Sequence, residues 1–486
     1  MGLVPLLEKR GPKTYPDAGR LIARPFLPDG PNFGGQRERL GLIVERVLAL
    51  SPESRQRILA ERRGAAEGVY HEIETQWRRH FGMAAAQVPA LEGVDDDELI
   101  LLVGAYLTQG FAYEGVALTN PSIVPFGDAT ERGQPFVMSA RAIGEGHISS
   151  IAFLTGVLPS SGSLELGERD PYAINGARTH TLYRRQSFSR RLLELGVDRD
   201  VIERTLDRVH ETFSADELDR ALGWVAASDL EPSVVSDALT TIHWLAASNY
   251  EISFDADSPI SRRLISPAAP VESRGMEDAR FVRFTHDDGT VVYFATYTAF
   301  DGRRVLPQLI RTFDFTSFRI ATLSGPMSQK GLALFPRTIQ GEFVGLSRHD
   351  NESVFLVRSD DIRHWGTAEL VSPPQFAWET IQIGNCGSPL ETDAGWLVIT
   401  HGVGAMRKYV LGAWLLDLDE PTKVIGRLRE PLLEPDPDEM EGLVPNVVYS
   451  CGGMIHDDRL ILPYGFADHG IAVAYGVVDQ ILDAME

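Results

Sequence analysis

The chain has 486 residues, of which 43% are hydrophobic and 23% charged, with a formal net charge of −22. That balance is globular, and a chain this long buries a substantial core without staples. The acidic field disfavours nucleic acid and anionic membranes as partners, although a local basic pocket can still hold a small anion.

The opening stretch, MGLVPLLEKRGPKTYPDAGR, lacks the apolar run of a signal peptide, and no later stretch reaches the roughly 18 apolar residues of a membrane span. The expectation is a soluble, cytoplasmic protein. Leu40, Ile43, Val44, Val47 and Leu48 recur at helical spacing. Ser51-Pro52 reads as an N-cap followed by Pro at the first helical position, opening a charged helix expected to run to about His80. Residues 96–110 form another apolar-periodic segment. Residues 1–115 carry no catalytic motif. They are read as a helical packing region and as the candidate surface for a homo-oligomer.

From about residue 116 short apolar runs punctuated by Gly, Pro and Asp replace the helical periods. Five segments share one layout of opening strand, second strand, hairpin and third strand. The opening strands are NPSIVPF from Asn120, EDARFVRF from Glu277, KGLALFP from Lys330, NCGSPLET from Asn385 and PNVVYSCGG from Pro445. The last four recur about every 50–60 residues, a propeller period, and residues 116–486 are expected to form a five-bladed β-propeller. A helical insertion, about 186–250, separates the first two units; Ser214 with Glu217 reads as a capping box within it.

Innermost propeller strands line a central channel, so the repeat predicts which side chains converge. The starts of the opening strands supply Asn120, Glu277, Asp278, Lys330 and Asn446; the second strands supply Arg141, Tyr297, Asp301, Arg348, His401, Tyr464 and Asp468. Carboxylates, cations and aromatics at one mouth suit a polyhydroxyl ligand that also carries an anion. GEGHISS at Gly144 does not follow a dinucleotide fingerprint, and neither a P-loop nor a metal-binding spacing is present, so no metal is expected.

The stretches RGMEDARFVRF, YTAFDG, KGLALFP, GNCGSPLETDAGWLVITHGVG, EGLVPNVVYSCGG and PYGFADHGIAVAYG resemble the inverting β-mannoside phosphorylase and β-mannosidase family of glycoside hydrolases. The resemblance covers about residues 116–480 outside the insertion. It implies a five-bladed β-propeller that cleaves β-mannosidic bonds. It implies Asp278 as proton donor, acting through a hydroxyl of the bound mannose, and inorganic phosphate as co-substrate with no further cofactor. Phosphate attacks the opposite face and yields α-mannose 1-phosphate. A proton donor needs a raised pKa, for which Glu277 or burial is the expected cause. The resemblance assigns phosphate to Lys330 and Arg348. Asn120, Arg141, Glu277, Tyr297, Asp301, His401, Asn446, Tyr464 and Asp468 are the candidate sugar ligands. Three departures bear on phosphorolysis: Gly331 where many phosphorylases have Asp, Ser347-Arg348 where many have His-Arg, and Pro307-Gln308 where many have Pro-Arg. The alternatives are an inverting β-mannosidase, whose water needs a base such as Glu342 or Glu352, and a non-catalytic carbohydrate-binding propeller.

Overall fold

In the computed structural model, which describes residues 5–28, 38–325 and 330–486, the N-terminal periodicity becomes α1 (Glu38–Leu48), α2 (Pro52–Ala66), α3 (Ile73–Ala85) and α4 (Asp97–Tyr106). α2 starts as expected: the Ser51 hydroxyl accepts the Ser54 N–H, and Pro52 follows. It does not run on to His80. The chain leaves the helix at Glu67 and passes through Gly68 at φ +72, a left-handed stop that costs glycine no Cβ clash. The last segment also ends early. Thr108–Ala112 pairs antiparallel with Leu21–Pro25; β-branched Thr108 and Gly110 disfavour the helix there. Leu40, Val44, Leu59, Trp77, Leu102 and Leu107 share the core of this unit, which comprises Asp17–Gly115 with Arg169–Asn175.

The second unit comprises Val116–Glu168 and Gly176–Glu486 with the described residues before Asp17. It is mainly β. Its antiparallel strands fall into five groups. The first is Ala117–Pro125, Gln134–Ile143 and Ser149–Leu158. The second is Gly275–Thr285, Val291–Phe300, Val305–Thr312 and Ser317–Thr322. The third is Ala333–Leu334, Phe343–Ser347, Val354–Ser359 and Glu369–Ser372. The fourth is Gln382–Asn385, Gly395–Val403, Tyr409–Leu416 and Val424–Arg427. The fifth is Val448–Tyr449, Arg459–Phe466 and Gly470–Val477. A single parallel pair, Gly275 with Ser149, joins the first two groups into one sheet.

Hydrogen bonds tie each group to the next. The Phe281 N–H donates to Ser122 Oγ (3.1 Å) and the Thr285 N–H to the Pro336 carbonyl (2.9 Å). Asn385 Nδ2 donates to the Gly331 carbonyl (2.8 Å) and the Tyr409 N–H to the Asn446 carbonyl (2.9 Å). The Cys451 N–H then returns to the Pro121 carbonyl of the first group (2.8 Å). The far ends of all five opening segments line one cavity of about 300 Å³, with Val124, Val282, Pro336, Leu390 and Met454 among its walls.

The insertion forms α5 (Arg185–Glu194), α6 (Arg199–Leu206), α7 (Ala215–Ala226) and α8 (Pro232–Ala247) around Phe188, Leu192, Val201, Leu222 and Ile242. The capping box at Ser214 and Glu217 is present. The following strand, Tyr250–Ser253, pairs with Ser317–Thr322 and extends the outer edge of the second group. GEGHISS is a hairpin: Gly144 N–H bonds the Ile148 carbonyl at 3.0 Å, and Gly404 with Lys408 repeats that bond at 3.0 Å in the fourth group. Cys386 and Cys451 are both buried free thiols. No helix among the described residues is long and apolar enough to cross a membrane.

Fully buried glutamates anchor the turns that precede several opening strands: Glu272, Glu379 and Glu439. Glu272 accepts the Ala268 and Ala269 N–H groups (2.8 and 2.9 Å) and the hydroxyls of Tyr250 (2.8 Å) and Tyr297 (2.6 Å). Truncation strands several buried donors, each costing about 1–3 kcal/mol. Urea denaturation of Glu272→Ala should therefore show a stability loss above about 3 kcal/mol, and a loss below about 1 kcal/mol would reject this account.

Candidate active site at the ends of the opening strands

Two β-bulges build the site. In the first group the register shifts between Thr119 and Ser122; in the second it shifts between Glu277 and Arg280. The displaced residues, Asn120 at φ +49 and Asp278 at φ +57, are left-handed, as is Asn446 at φ +63. Asn and Asp tolerate this region better than other side chains, at a cost of roughly 1–3 kcal/mol, and such strain gathers at functional sites.

The bulges turn two side chains together: Asn120 Nδ2 donates to Asp278 Oδ1 at 2.7 Å. Arg141 donates from Nη2 to Glu277 Oε1 at 2.8 Å, and its Nη1 lies 3.5 Å from Asp278 Oδ1. Lys330 Nζ donates to Glu277 Oε2 at 2.6 Å. Asp468, left-handed at φ +46 in the last hairpin, feels the charges of Arg141, Asp278 and Glu277. Asn120, Arg141, Glu277, Asp278, Lys330 and Asp468 are thus brought together as the repeat predicted.

Three further residues complete the cluster. Arg280 is buried and links three of the opening segments. It donates to the Asp278 carbonyl (3.0 Å), the Cys386 carbonyl (2.7 Å) and the Tyr449 hydroxyl (2.8 Å). Asn385 holds the Gly331 carbonyl. The signals were present: Arg280 stands two residues after Asp278, and Asn385 heads its segment as Asn120 heads the first. Arg348 lies against Gly331 and Gly384. Its buried Nε has no hydrogen-bond partner, and it forms no ion pair among the described residues.

The other expected members make contacts of their own. Tyr297 is fully buried with its hydroxyl on Glu272, and Tyr464 is fully buried with its hydroxyl on Glu439 (2.6 Å). Neither ring is open to a sugar. His401 is fully buried against Tyr449, with Nε2 3.2 Å from Gln382 Nε2. Burial, then Arg348 and Arg280, hold its imidazole well below the usual value. Asp301 caps its own turn by accepting the Arg303 and Arg304 N–H groups (2.8 and 2.6 Å). Asn446 is half-buried and contributes its carbonyl to Tyr409. Gln308 is buried and donates to the Ser248 carbonyl (3.1 Å), away from the cluster.

The electrostatics also correct an expectation. Burial does push the Asp278 carboxyl upward. Arg141, Arg280, the Asn120 hydrogen bond and Lys330 outweigh it and hold the group below the usual carboxylate range. The raised carboxyl is Asp468, lifted by burial and by Asp278 and Glu277 against the pull of Arg141. Two carboxyls of one cluster are thus pushed in opposite directions, a pattern that acid–base sites share. Among the described residues no group of three or more His, Cys, Asp and Glu side chains is placed to hold a metal ion.

Residues 248–486 match a family model described as beta-1,4-mannooligosaccharide phosphorylase. The chain is 36% identical over 222 residues to a 1,2-beta-oligomannan phosphorylase of Thermoanaerobacter sp., covering 44% of this chain and 72% of that one. It is 36% identical over 185 residues to a beta-1,4-mannooligosaccharide phosphorylase of Ruminococcus albus, covering 35% and 55%. A solved beta-1,2-mannobiose phosphorylase from Listeria innocua superposes with a TM-score of 0.45 at 20% identity, over 77% of this chain and 92% of that one.

Proposed function

The chain belongs to the glycoside hydrolase family 130 mannoside phosphorylases, and on that premise we propose that it cleaves a β-mannosidic bond with inorganic phosphate, with inversion, to give α-mannose 1-phosphate. The unit that carries the site is read as a five-bladed β-propeller. Supporting this are the hydrogen bonds that lead from group to group and back to the first, and the one cavity walled by all five opening segments.

Asp278 is the proton donor. The C1–O bond of the mannoside breaks, the leaving oxygen takes the Asp278 proton through a sugar hydroxyl, and a phosphate oxygen bonds C1 from the opposite face. Asp278 ends ionised, the form its neighbours already favour. A phosphate dianion beside Lys330 and Arg348 offsets the cations that hold Asp278 low, so the carboxyl takes up its proton as the co-substrate binds. Asn120, Arg141, Glu277 and Asp468 ring the acid and are the mannose ligands.

The observation that carries phosphorolysis is the Arg348 guanidinium, buried at Nε and without a carboxylate partner among the described residues. Hydrolysis needs a carboxylate base facing the anomeric carbon, usually 6.5–9.5 Å from the acid. Glu342 lies beyond the opposite end of Phe343–Ser347 from Arg348, near Arg358. Glu352 is exposed in the next hairpin. The test is product analysis of β-1,2- and β-1,4-mannobiose with and without phosphate, since relatives of both linkages are equally identical to the chain. α-Mannose 1-phosphate formed only with phosphate is the expected result; free mannose formed equally in both would replace phosphorolysis by hydrolysis.

A further inference from the structure

A second basic centre lies on the outer side of the second group. Arg184, Arg191, Arg319 and Arg363 line one small cavity together with Ser187, Thr322 and the start of α5. Arg311 stands directly opposite Arg319 across paired strands, an arrangement that costs stability unless something offsets it. Three carboxylates lie near these five guanidiniums. Glu251 pairs with Arg319 (2.6 Å) and Glu194 with Arg191 (2.6 Å), while Asp361 accepts the Arg363 backbone N–H (3.0 Å). Among the described residues Arg184 and Arg363 form no ion pair, and Arg191 Nε is buried without a partner. Burial and the neighbouring Arg184, Arg319 and Arg311, against Asp361, hold the Arg363 guanidinium below its usual value.

α5 opens beside this cluster. Its N-cap is Arg184, and no side chain caps it. The Arg185 N–H is taken by the Glu211 carbonyl (2.9 Å); the amides that follow it in the first turn have no intrahelical acceptors, and the positive end of the helix dipole adds to the arginines. In a chain of net charge −22, this gathering of cations is local. The cavity measures about 40 Å³; at roughly 10–15 Å³ per water-sized group it is too small for a sugar ring.

We propose that this pocket binds the phosphate group of a small molecule, at a site separate from the catalytic centre. Ser317–Thr322, which carries Arg319, lies three strands from Gly275–Thr285, which carries Asp278, or roughly 14 Å at the usual strand spacing. The bound group neutralises the repulsion between the arginines and ties α5 of the insertion to Ser317–Thr322 of the sheet.

Calorimetric titration of the full chain with inorganic phosphate, against potassium chloride at matched ionic strength, tests this. The expected result is that Arg184→Ala/Arg363→Ala loses one phosphate equivalent present in the wild type, whereas Lys330→Ala/Arg348→Ala keeps that equivalent. Arg184→Gln, at an exposed position, should weaken the same equivalent at least tenfold and keeps the test readable if the double variant misfolds. Competition by α-mannose 1-phosphate for that equivalent identifies a phosphomonoester as occupant; its absence identifies the free ion. If the arginine variants bind as much phosphate as the wild type, or chloride reproduces the heat, the site does not exist. A failure of the phosphorylase reading looks different: the equivalent removed by Lys330→Ala/Arg348→Ala would then be missing from the wild type.

Discussion

Asp278→Asn is expected to lower kcat for mannoside phosphorolysis by about three orders of magnitude, within the roughly 10²–10⁴ that a positioned general acid supplies. The substitution is clean because Asn is nearly isosteric and accepts a left-handed backbone; Asn120 and Asn446 already do so at φ +49 and +63. The variant amide can still accept the Asn120 hydrogen bond through its oxygen, but it carries no proton to give. The pH profiles sharpen the test. An acid must be protonated to work, so activity falls as pH rises past its pKa. In the free enzyme Arg141, Arg280 and Lys330 hold that pKa low. With phosphate bound it is higher, so the falling limb of kcat should lie at higher pH than that of kcat/KM. Both limbs should vanish in Asp278→Asn. The same depressed pKa contributes stability above the unfolded carboxyl value near 4, lost as pH falls through the folded value. Asp278→Asn should therefore be less sensitive to acid unfolding. More than a tenth of wild-type turnover in the variant would move the acid role to another residue, with Asp468 the first to examine because its carboxyl is the one pushed upward.

The contrast between Asp278 and the two tyrosines shows what the sequence could carry. A strand alternates faces every residue, so the repeat could nominate Asn120, Arg141, Glu277, Asp278 and Lys330 by position alone, and these do converge. The same reasoning put Tyr297 and Tyr464 at the mouth. It failed because their partners, Glu272 and Glu439, each lie 25 residues away along the chain. A buried acceptor of that kind decides which way a tyrosine points, and nothing local announces it. The bulge at Asp278 was equally invisible: one extra residue in a strand changes every face that follows it. That shift sends Arg280 beneath the site, where it crosses from the second group to Cys386 and Tyr449. The expectation of a raised pKa counted burial and Glu277; Arg141 first, then Arg280, the Asn120 hydrogen bond and Lys330 reverse it, and of these only Arg280 was absent from the predicted site.

Arg348→Ala should raise KM for phosphate by about 10- to 100-fold, with kcat and KM for the mannoside changed far less. A hydrogen bond to a charged group is worth about 1.5–3 kcal/mol, and about 1.4 kcal/mol is a factor of ten. Arg348 is the stronger of the two candidate cations. Lys330 is already held by Glu277 at 2.6 Å, whereas Arg348 has a buried Nε waiting for an acceptor. A guanidinium also presents a fork that two phosphate oxygens can bridge, so Arg348→Lys should recover only part of the loss. Gly331 explains why the departure at that position need not abolish phosphorolysis. It adopts φ +99, and a Cβ there would come within 2.9 Å of Arg348 Nε. A larger residue would strain the turn and push the guanidinium aside, and an aspartate would also engage its charge. Gly331→Asp should therefore raise KM for phosphate in the same direction as Arg348→Ala, and the two combined should be less than additive because both act through one side chain. If KM for phosphate is unmoved in Arg348→Ala but rises in Arg141→Ala, the phosphate lies on the Asp278 side of the cluster and Arg348 is a strut for Tyr449 and His401.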